Sequence, residues 1–166
     1  GMEAKVGTLG SKYEFFHEWK RLAEEDQGNV ALETMLRGIC KKENFLDLFE
    51  NFILYDHSNG HTAKILARNH QYLGVNEAMK AYAARKLNDG KLGVFWHTQG
   101  SGKSYSMVLF AQKVRRKFAG SPTFVILTDR EELNTQISDT FENCGLLGKT
   151  KATQLIATSG DDLVQK

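Results

Sequence analysis

Gly93-Val94-Phe95-Trp96-His97-Thr98-Gln99-Gly100-Ser101-Gly102-Lys103-Ser104 is the stretch whose reading decides the fold. The apolar run at 92–96 predicts a buried strand, and it feeds a glycine-containing loop that opens into a helical pattern from about Lys103. Strand, loop and helix in that order suit a polyphosphate. Inward-pointing backbone N–H groups can approach one only where no Cβ intervenes, here at Gly100 and Gly102. The helix N-terminus behind the loop adds partial positive charge. Lys103 then supplies a mobile cation for the outer phosphates and Ser104 a hydroxyl for Mg²⁺. The pattern departs from G-x-x-x-x-G-K-[ST] at its first glycine, where His97 stands. A chance glycine loop gives Lys103 no purpose, and a dinucleotide fingerprint fails because Tyr105 occupies its third glycine position.

Downstream, Met107, Phe110, Ala111, Val114 and Phe118 predict a helix face packed on a sheet, ended by Gly120 and Pro122. Lys113, Arg115, Arg116 and Lys117 read as a solvated helix end, where cations meet the helix dipole favourably. The run at 123–127 predicts the next buried strand. Asp129 after it resembles a metal-holding acid, but Thr128 and Asp129 are better explained as N-caps, with Glu131 and Glu132 at the matching capping-box positions. Leu133, Ile137 and Phe141 form the inner face of the helix that follows, closed by Cys144-Gly145; 152–156 predicts a third strand, and Ser159-Gly160-Asp161-Asp162 opens another helix.

Upstream, Ser11-Lys12-Tyr13-Glu14 reads as a capping box for a helix burying Phe15, Trp19 and Leu22. After a break at Gln27-Gly28-Asn29, Leu32, Met35, Leu36 and Ile39, then Phe45, Leu48, Phe49 and Phe52, repeat at helical spacing. These aromatics are expected in a core rather than at a cofactor. Short apolar runs at 52–55 and 62–66 around Asp56-His57-Ser58-Asn59-Gly60 predict a hairpin. Arg68-Asn69-His70-Gln71-Tyr72 begins a helix with Tyr72, Val75, Met79 and Tyr82 on one face, ending at Asn88-Asp89-Gly90. The Gln71 amide can both donate to and accept from an adenine edge.

At 166 residues and 41% apolar, the chain is sized for an ordinary domain core. A formal charge of +2 leaves any nucleic-acid contact to local patches. Two unpaired cysteines, Cys40 and Cys144, suit a reducing cytoplasm, and no apolar run approaches a membrane span. Gly1 before Met2 reads as a cleavage scar. Cys40, His57, His61 and His70 match no zinc spacing, and Glu3-Ala4-Lys5 lacks the aspartate and strand of a nuclease site.

The segment from Val94 to Ser104 resembles motif I in the restriction (R) subunit of type I restriction-modification enzymes, a branch of the superfamily 2 helicase-like DNA translocases; His97-Thr98-Gln99 ahead of the glycines is typical of that branch. Gln71, with Arg68 nearby, resembles the glutamine motif that reads adenine. Thr128-Asp129-Arg130, Leu133 and Gln136 resemble motif Ia, which makes Asp129 and Arg130 the expected DNA contacts. Val6-Gly7-Thr8 through Phe16, Trp19-Lys20 and Leu32-Glu33-Thr34 resemble the segment joining that family's nuclease domain to its motor.

The resemblance implies an α/β chain: a helical connector at 1–62, then the first part of a RecA-like P-loop NTPase motor lobe with a parallel sheet at 63–166. It implies ATP and Mg²⁺ as cofactors, held by Arg68, Gln71, Thr98, Gln99, Gly100, Ser101, Gly102, Lys103 and Ser104, with Lys103 as catalytic cation and Ser104 on the metal. It also implies double-stranded DNA and methylase and specificity subunits as partners, and hydrolysis coupled to translocation and cleavage. No second acid-tipped strand is found, so this stretch is expected to bind nucleotide without turnover. Two alternatives stand beside this: another superfamily 2 translocase or helicase, and a non-enzymatic nucleotide-binding assembly module.

Overall fold

Residues 3–26 and 30–165 are described by the computed structural model. The Gly1-Met2 pair and the break at Gln27-Gly28-Asn29 lie outside the described residues. Helices α1 (Ala31–Ile39) and α2 (Lys42–Asn51) lead into strands β1 (Ile53–Asp56) and β2 (Ala63–Leu66). Helix α3 (Asn69–Ala83) precedes the glycine loop, and α4 (Lys103–Lys117), α5 (Glu131–Asn143), α6 (Ala152–Leu155) and α7 (Gly160–Gln165) follow it. The hairpin forms where the turn residues place it, antiparallel, with Ile53 opposite Leu66 and Asp56 opposite Ala63.

One apolar cluster draws on both halves of the chain. Trp19, Leu48, Phe52 and Leu54 pack with Tyr72, Val75, Val108, Leu109, Val114, Ile137 and Phe141. Tyr72 is its aromatic centre, 5.4 Å from the Trp19 ring and 4.7 Å from Phe52. Burial first, and the Asp47 carboxylate second, push its hydroxyl up to about 12.

The helix expected from Ser11 does not form. Ser11 Oγ instead pairs with Thr8 Oγ1 at 2.6 Å, Tyr13–Phe15 makes a single 3-10 turn, and Val6 and His17 exchange two backbone hydrogen bonds of 2.9 Å. Tertiary packing overrides the local cap: a Cβ on Gly7 would stand 2.7 Å from the Phe16 ring, and one on Gly38 2.2 Å from the Trp19 indole, so two aromatics lie directly on glycine backbone. In α1 and α2 the helical periods hold, but Leu36, Phe45 and Phe49 are exposed, and only Leu48 and Phe52 of the second stripe are buried.

The expected parallel sheet is not formed among the described residues. Runs 92–96 and 123–127 carry no ladder, and within 152–156 helix α6 forms instead of a strand. A strand is defined by its neighbour, and no strand lies beside either run. Helix α4 therefore packs on α3, α5 and α2. Its buried face is Ser106, Val108, Leu109, Ala111, Lys113 and Val114, rotated from the predicted one, and Met107 is exposed.

The basic end of α4 is not simply solvated. Lys113, 7% exposed, donates to both Asp47 oxygens at 2.6 and 2.7 Å and to Asn76 Oδ1 at 2.6 Å, and its Nζ lies 4.7 Å from the Phe52 ring centre. Burial pulls this ammonium below the ordinary lysine range, against the opposing pull of Asp47. Arg116 donates to the Glu50 carbonyl, Lys117 pairs with the Glu50 carboxylate at 2.6 Å, and Arg115 donates to Leu146 O at 3.0 Å. At the other end of α4, Tyr105 donates to Asp56 Oδ2 at 2.6 Å, while Ser58 N–H donates to Asp56 Oδ1 at 2.8 Å. Burial alone would lift Asp56; those donors hold its carboxyl below the usual range.

Removing one member of the Lys113–Asp47 pair leaves a buried charge uncompensated. Asp47→Ala is expected to cost about 3 kcal/mol in urea unfolding, and Asp47→Leu combined with Lys113→Met to recover most of it; an additive double variant would contradict this. Tyr105→Phe is expected to cost about 2 kcal/mol at pH 7. Because the folded pKa of Asp56 is depressed, the wild-type advantage is full above about pH 4 and is lost as pH falls through the folded value. Unfolding titrations at pH 7 and below pH 3 test this, and a cost independent of pH would exclude the charged hydrogen bond.

Candidate nucleotide-binding site

The glycine loop is shaped by two residues in the left-handed region, Gly100 at φ 75° and Gly102 at φ 81°, the latter serving as N-cap of α4. A Cβ on Gly102 would also stand 2.9 Å from Gln71 Nε2, so the close approach of α3 is a second reason for glycine there. The opening N–H groups of α4 have no acceptor within their own helix.

Two consecutive residues in the first turn of α3 grip two consecutive loop carbonyls. His70 Nε2 lies 2.9 Å from Ser101 O, and Gln71 Nε2 donates to Gly102 O at 3.0 Å. With the carbonyl accepting, the His70 contact requires the Nε2–H tautomer. Gln71 Oε1 accepts the Arg68 N–H at 2.9 Å, so the buried amide spends one donor and one lone pair on backbone and retains one of each. Sequence reasoning placed Gln71 here but missed this latch, because a contact spanning 31 residues leaves no local signal.

Lys103 Nζ donates to His97 O at 2.8 Å and Thr98 O at 3.0 Å, folding its ammonium back over the loop's own entrance. His97 makes edge contacts with His70 and Phe95, at 4.7 and 4.4 Å between ring centres. Burial first, and His70 second, hold its pKa below the ordinary histidine range. Its Nδ1 and Ser101 Oγ are buried polar atoms with no protein partner. Such atoms beside the opening N–H groups of α4 fit a site that takes a polar ligand. Thr98, Gln99 and Gly100 are exposed, and Ser104 is half-buried at the first turn of α4, one residue past Lys103.

Two cavities flank the loop. One of about 610 Å³ is lined by Gly100, Ser101, Gly102, Arg68 and Gln71 together with the N-terminal segment. The other, about 810 Å³, lies under the 92–97 segment and takes in Lys103, Met107 and Phe110. Asp129 and Arg130 line neither. They are exposed at the start of α5, their charges 3.7 Å apart, and Arg130 rather than Asp129 or Thr128 occupies the N-cap, with no side-chain cap bond. Among the described residues no three His, Cys, Asp or Glu side chains converge on a common point.

Residues 70–166 match the SWI2/SNF2 ATPase family. The chain is 36% identical over 152 residues to the HindI endonuclease subunit of a type I restriction enzyme from Haemophilus influenzae, covering 86% of this chain and 14% of that protein. It is 30% identical over 168 residues to the MjaIXP endonuclease subunit, a type I restriction enzyme component assigned in Methanocaldococcus jannaschii, covering 86% of this chain and 16% of that one. This chain thus spans about a seventh of the length of these relatives. No solved structure gives a significant match. The matched residues begin at His70 and take in Gln71, the glycine loop and Lys103. The chain therefore belongs to the SWI2/SNF2 ATPase family and shares most of its length with the endonuclease subunits of type I restriction enzymes, as the motif I resemblance implied.

Proposed function

We propose that this chain is the ATP-binding part of the motor subunit of a type I restriction endonuclease, in which ATP hydrolysis drives DNA translocation that ends in cleavage. The observation that carries it is the latch of His70 and Gln71 on the Ser101 and Gly102 carbonyls, beneath a lysine poised at the loop entrance. A trans peptide points its C=O and the following N–H in opposite directions. Holding those two carbonyls toward α3 therefore turns the N–H groups of Gly102 and Lys103 away from it, as an anion cradle requires.

In this reading Gly100, Ser101 and Gly102, with Thr98 and Gln99 ahead of them, present backbone to the phosphates. Lys103 exchanges its two loop carbonyls for β- and γ-phosphate oxygens, and Ser104 contributes one oxygen to Mg²⁺. The cofactor supplies the phosphoanhydride whose cleavage powers the motor. Gln71 offers its remaining donor and lone pair to the adenine edge beside Arg68. Arg130 contacts the DNA backbone from the start of α5, with Asp129 beside its guanidinium in the same DNA-facing motif. Runs 92–96 and 123–127 become strands of a parallel RecA-like sheet in the complete subunit, which works in the cytoplasm with double-stranded DNA and the methylase and specificity subunits. No helix among the described residues is long and apolar enough to cross a membrane.

The purified chain is expected to bind MgATP in isothermal titration without sustained hydrolysis, and Lys103→Ala to weaken that binding about tenfold or more. Sustained turnover abolished by Lys103→Ala would place a catalytic acid within these residues and overturn the division of labour proposed here.

A further inference from the structure

The 610 Å³ cavity beside the loop has a wall that the sequence reading gave no ligand role. Residues 6–17 form a strap closed on itself by the paired Val6 and His17 backbones, and Lys5 caps the Tyr13 ring at 4.7 Å. The chain that leaves the strap, at Trp19 and Arg21, is seated on the first turn of α3, and the strap faces Gln71 across the cavity. Asn69 accepts the Arg21 N–H at 3.1 Å and donates to Arg21 O at 2.8 Å, and Trp19 packs on Tyr72. Phe16 turns inward onto Gly7, and its neighbours Phe15 and His17 both line the cavity.

Phe15 is 57% exposed although it sits in a fixed 3-10 turn. An aromatic side chain left open in a preformed hollow is a stacking surface without a partner. Burial first, and the Arg68 charge second, hold the His17 pKa below the ordinary histidine range, which keeps its ring neutral at pH 7 and fit to lie against a base. The rim carries Lys12, Lys64 and Arg68 against the single carboxylate of Glu18, a balance that favours an anion. The volume falls in the range of small-ligand sites and accommodates a nucleoside.

We infer that the strap is the base-and-ribose wall of the nucleotide site, with Phe15 stacking on the adenine ring and His17 flanking it across from Gln71. This rests on the proposal that the glycine loop holds the phosphates of ATP. It assigns the N-terminal segment to ligand binding, so that the purine is held by residues from two separate segments of the sequence.

The test compares MgATP with inorganic tripolyphosphate, which carries the phosphates and no base, by isothermal titration of the purified chain. Phe15→Ala and His17→Ala are each expected to weaken ATP binding about tenfold, in line with the loss of a base-stacking surface, and to change tripolyphosphate binding less than about twofold. Lys103→Ala is expected to weaken both ligands. The exposure of Phe15 means its variant should keep the wild-type far-UV circular dichroism and melting temperature. Unchanged ATP affinity in both strap variants, or wild-type protein that binds tripolyphosphate as tightly as ATP, overturns the strap assignment and leaves the loop reading standing. Indifference of both ligands to Lys103→Ala, or no ATP binding by the wild type, removes the loop reading and the strap assignment with it.

Discussion

The rest of the site depends on the direction of two carbonyl groups. Ser101 O and Gly102 O each accept from the first turn of α3, and Gly102 O is further engaged by Ser106 N–H at 3.1 Å and Ser106 Oγ at 3.3 Å. Peptide planarity converts that anchoring into a fixed orientation for the next two N–H groups. The two positive-φ glycines let the chain turn tightly enough for it to happen within three residues. A loop so held loses little entropy on taking a ligand, since its geometry is set by protein contacts made beforehand.

That arrangement is only as rigid as the relation between α3 and α4, and the Lys113 cluster fixes it. Its three partners come from α2, from the α2–β1 junction at Phe52 and from α3, so the helix behind the glycine loop is bound to both α2 and the helix that supplies the latch. Burying an ammonium is costly, and the bidentate carboxylate, the amide and the aromatic face together offset that cost. At the opposite end of α4, Tyr105 performs the same office toward the hairpin through Asp56. Helix α4 is thus held at both ends by buried polar contacts from the part of the chain that precedes the loop.

The sequence was legible where structure is local. Helices α1 to α5 carry the 3.6 period, the hairpin carries its turn residues, and the loop carries its glycines and lysine, so each could be placed without knowledge of the fold. The N-terminal helix was misread because a capping box records only a local preference, and the burial of Trp19 over Gly38 outweighs it. The cations at 113–117 read as solvent-facing because their partners, Asp47, Glu50 and Leu146, lie about 30 to 70 residues away along the chain. Gln71 was singled out for an amide free to meet a base edge, yet half its hydrogen-bonding capacity is committed to backbone. The stretch at 6–17 gave a capping box and a family resemblance but no sign of a ligand role, being assembled from residues that are each ordinary for a core or a surface.

The remaining tension lies in the two apolar runs that flank α4. Val94 and Trp96 are 89% and 87% exposed, and Val125 and Leu127 61% and 88%. Such residues in water are unfavourable, and extended backbone beside them needs partners before it can be buried. The runs are joined through one helix, the connection that parallel strands require, yet they do not pair with each other here. The apolar side of α4 carrying Met107 and Phe110 likewise opens onto the 810 Å³ cavity under 92–97 instead of onto a packed layer. Both observations have one physical resolution: a strand inserted beside each run would satisfy the two backbones and cover that side of α4. The parallel sheet proposed for the complete subunit supplies such a layer. The loop geometry, by contrast, depends on α3 and not on the sheet, and so is already in place without it.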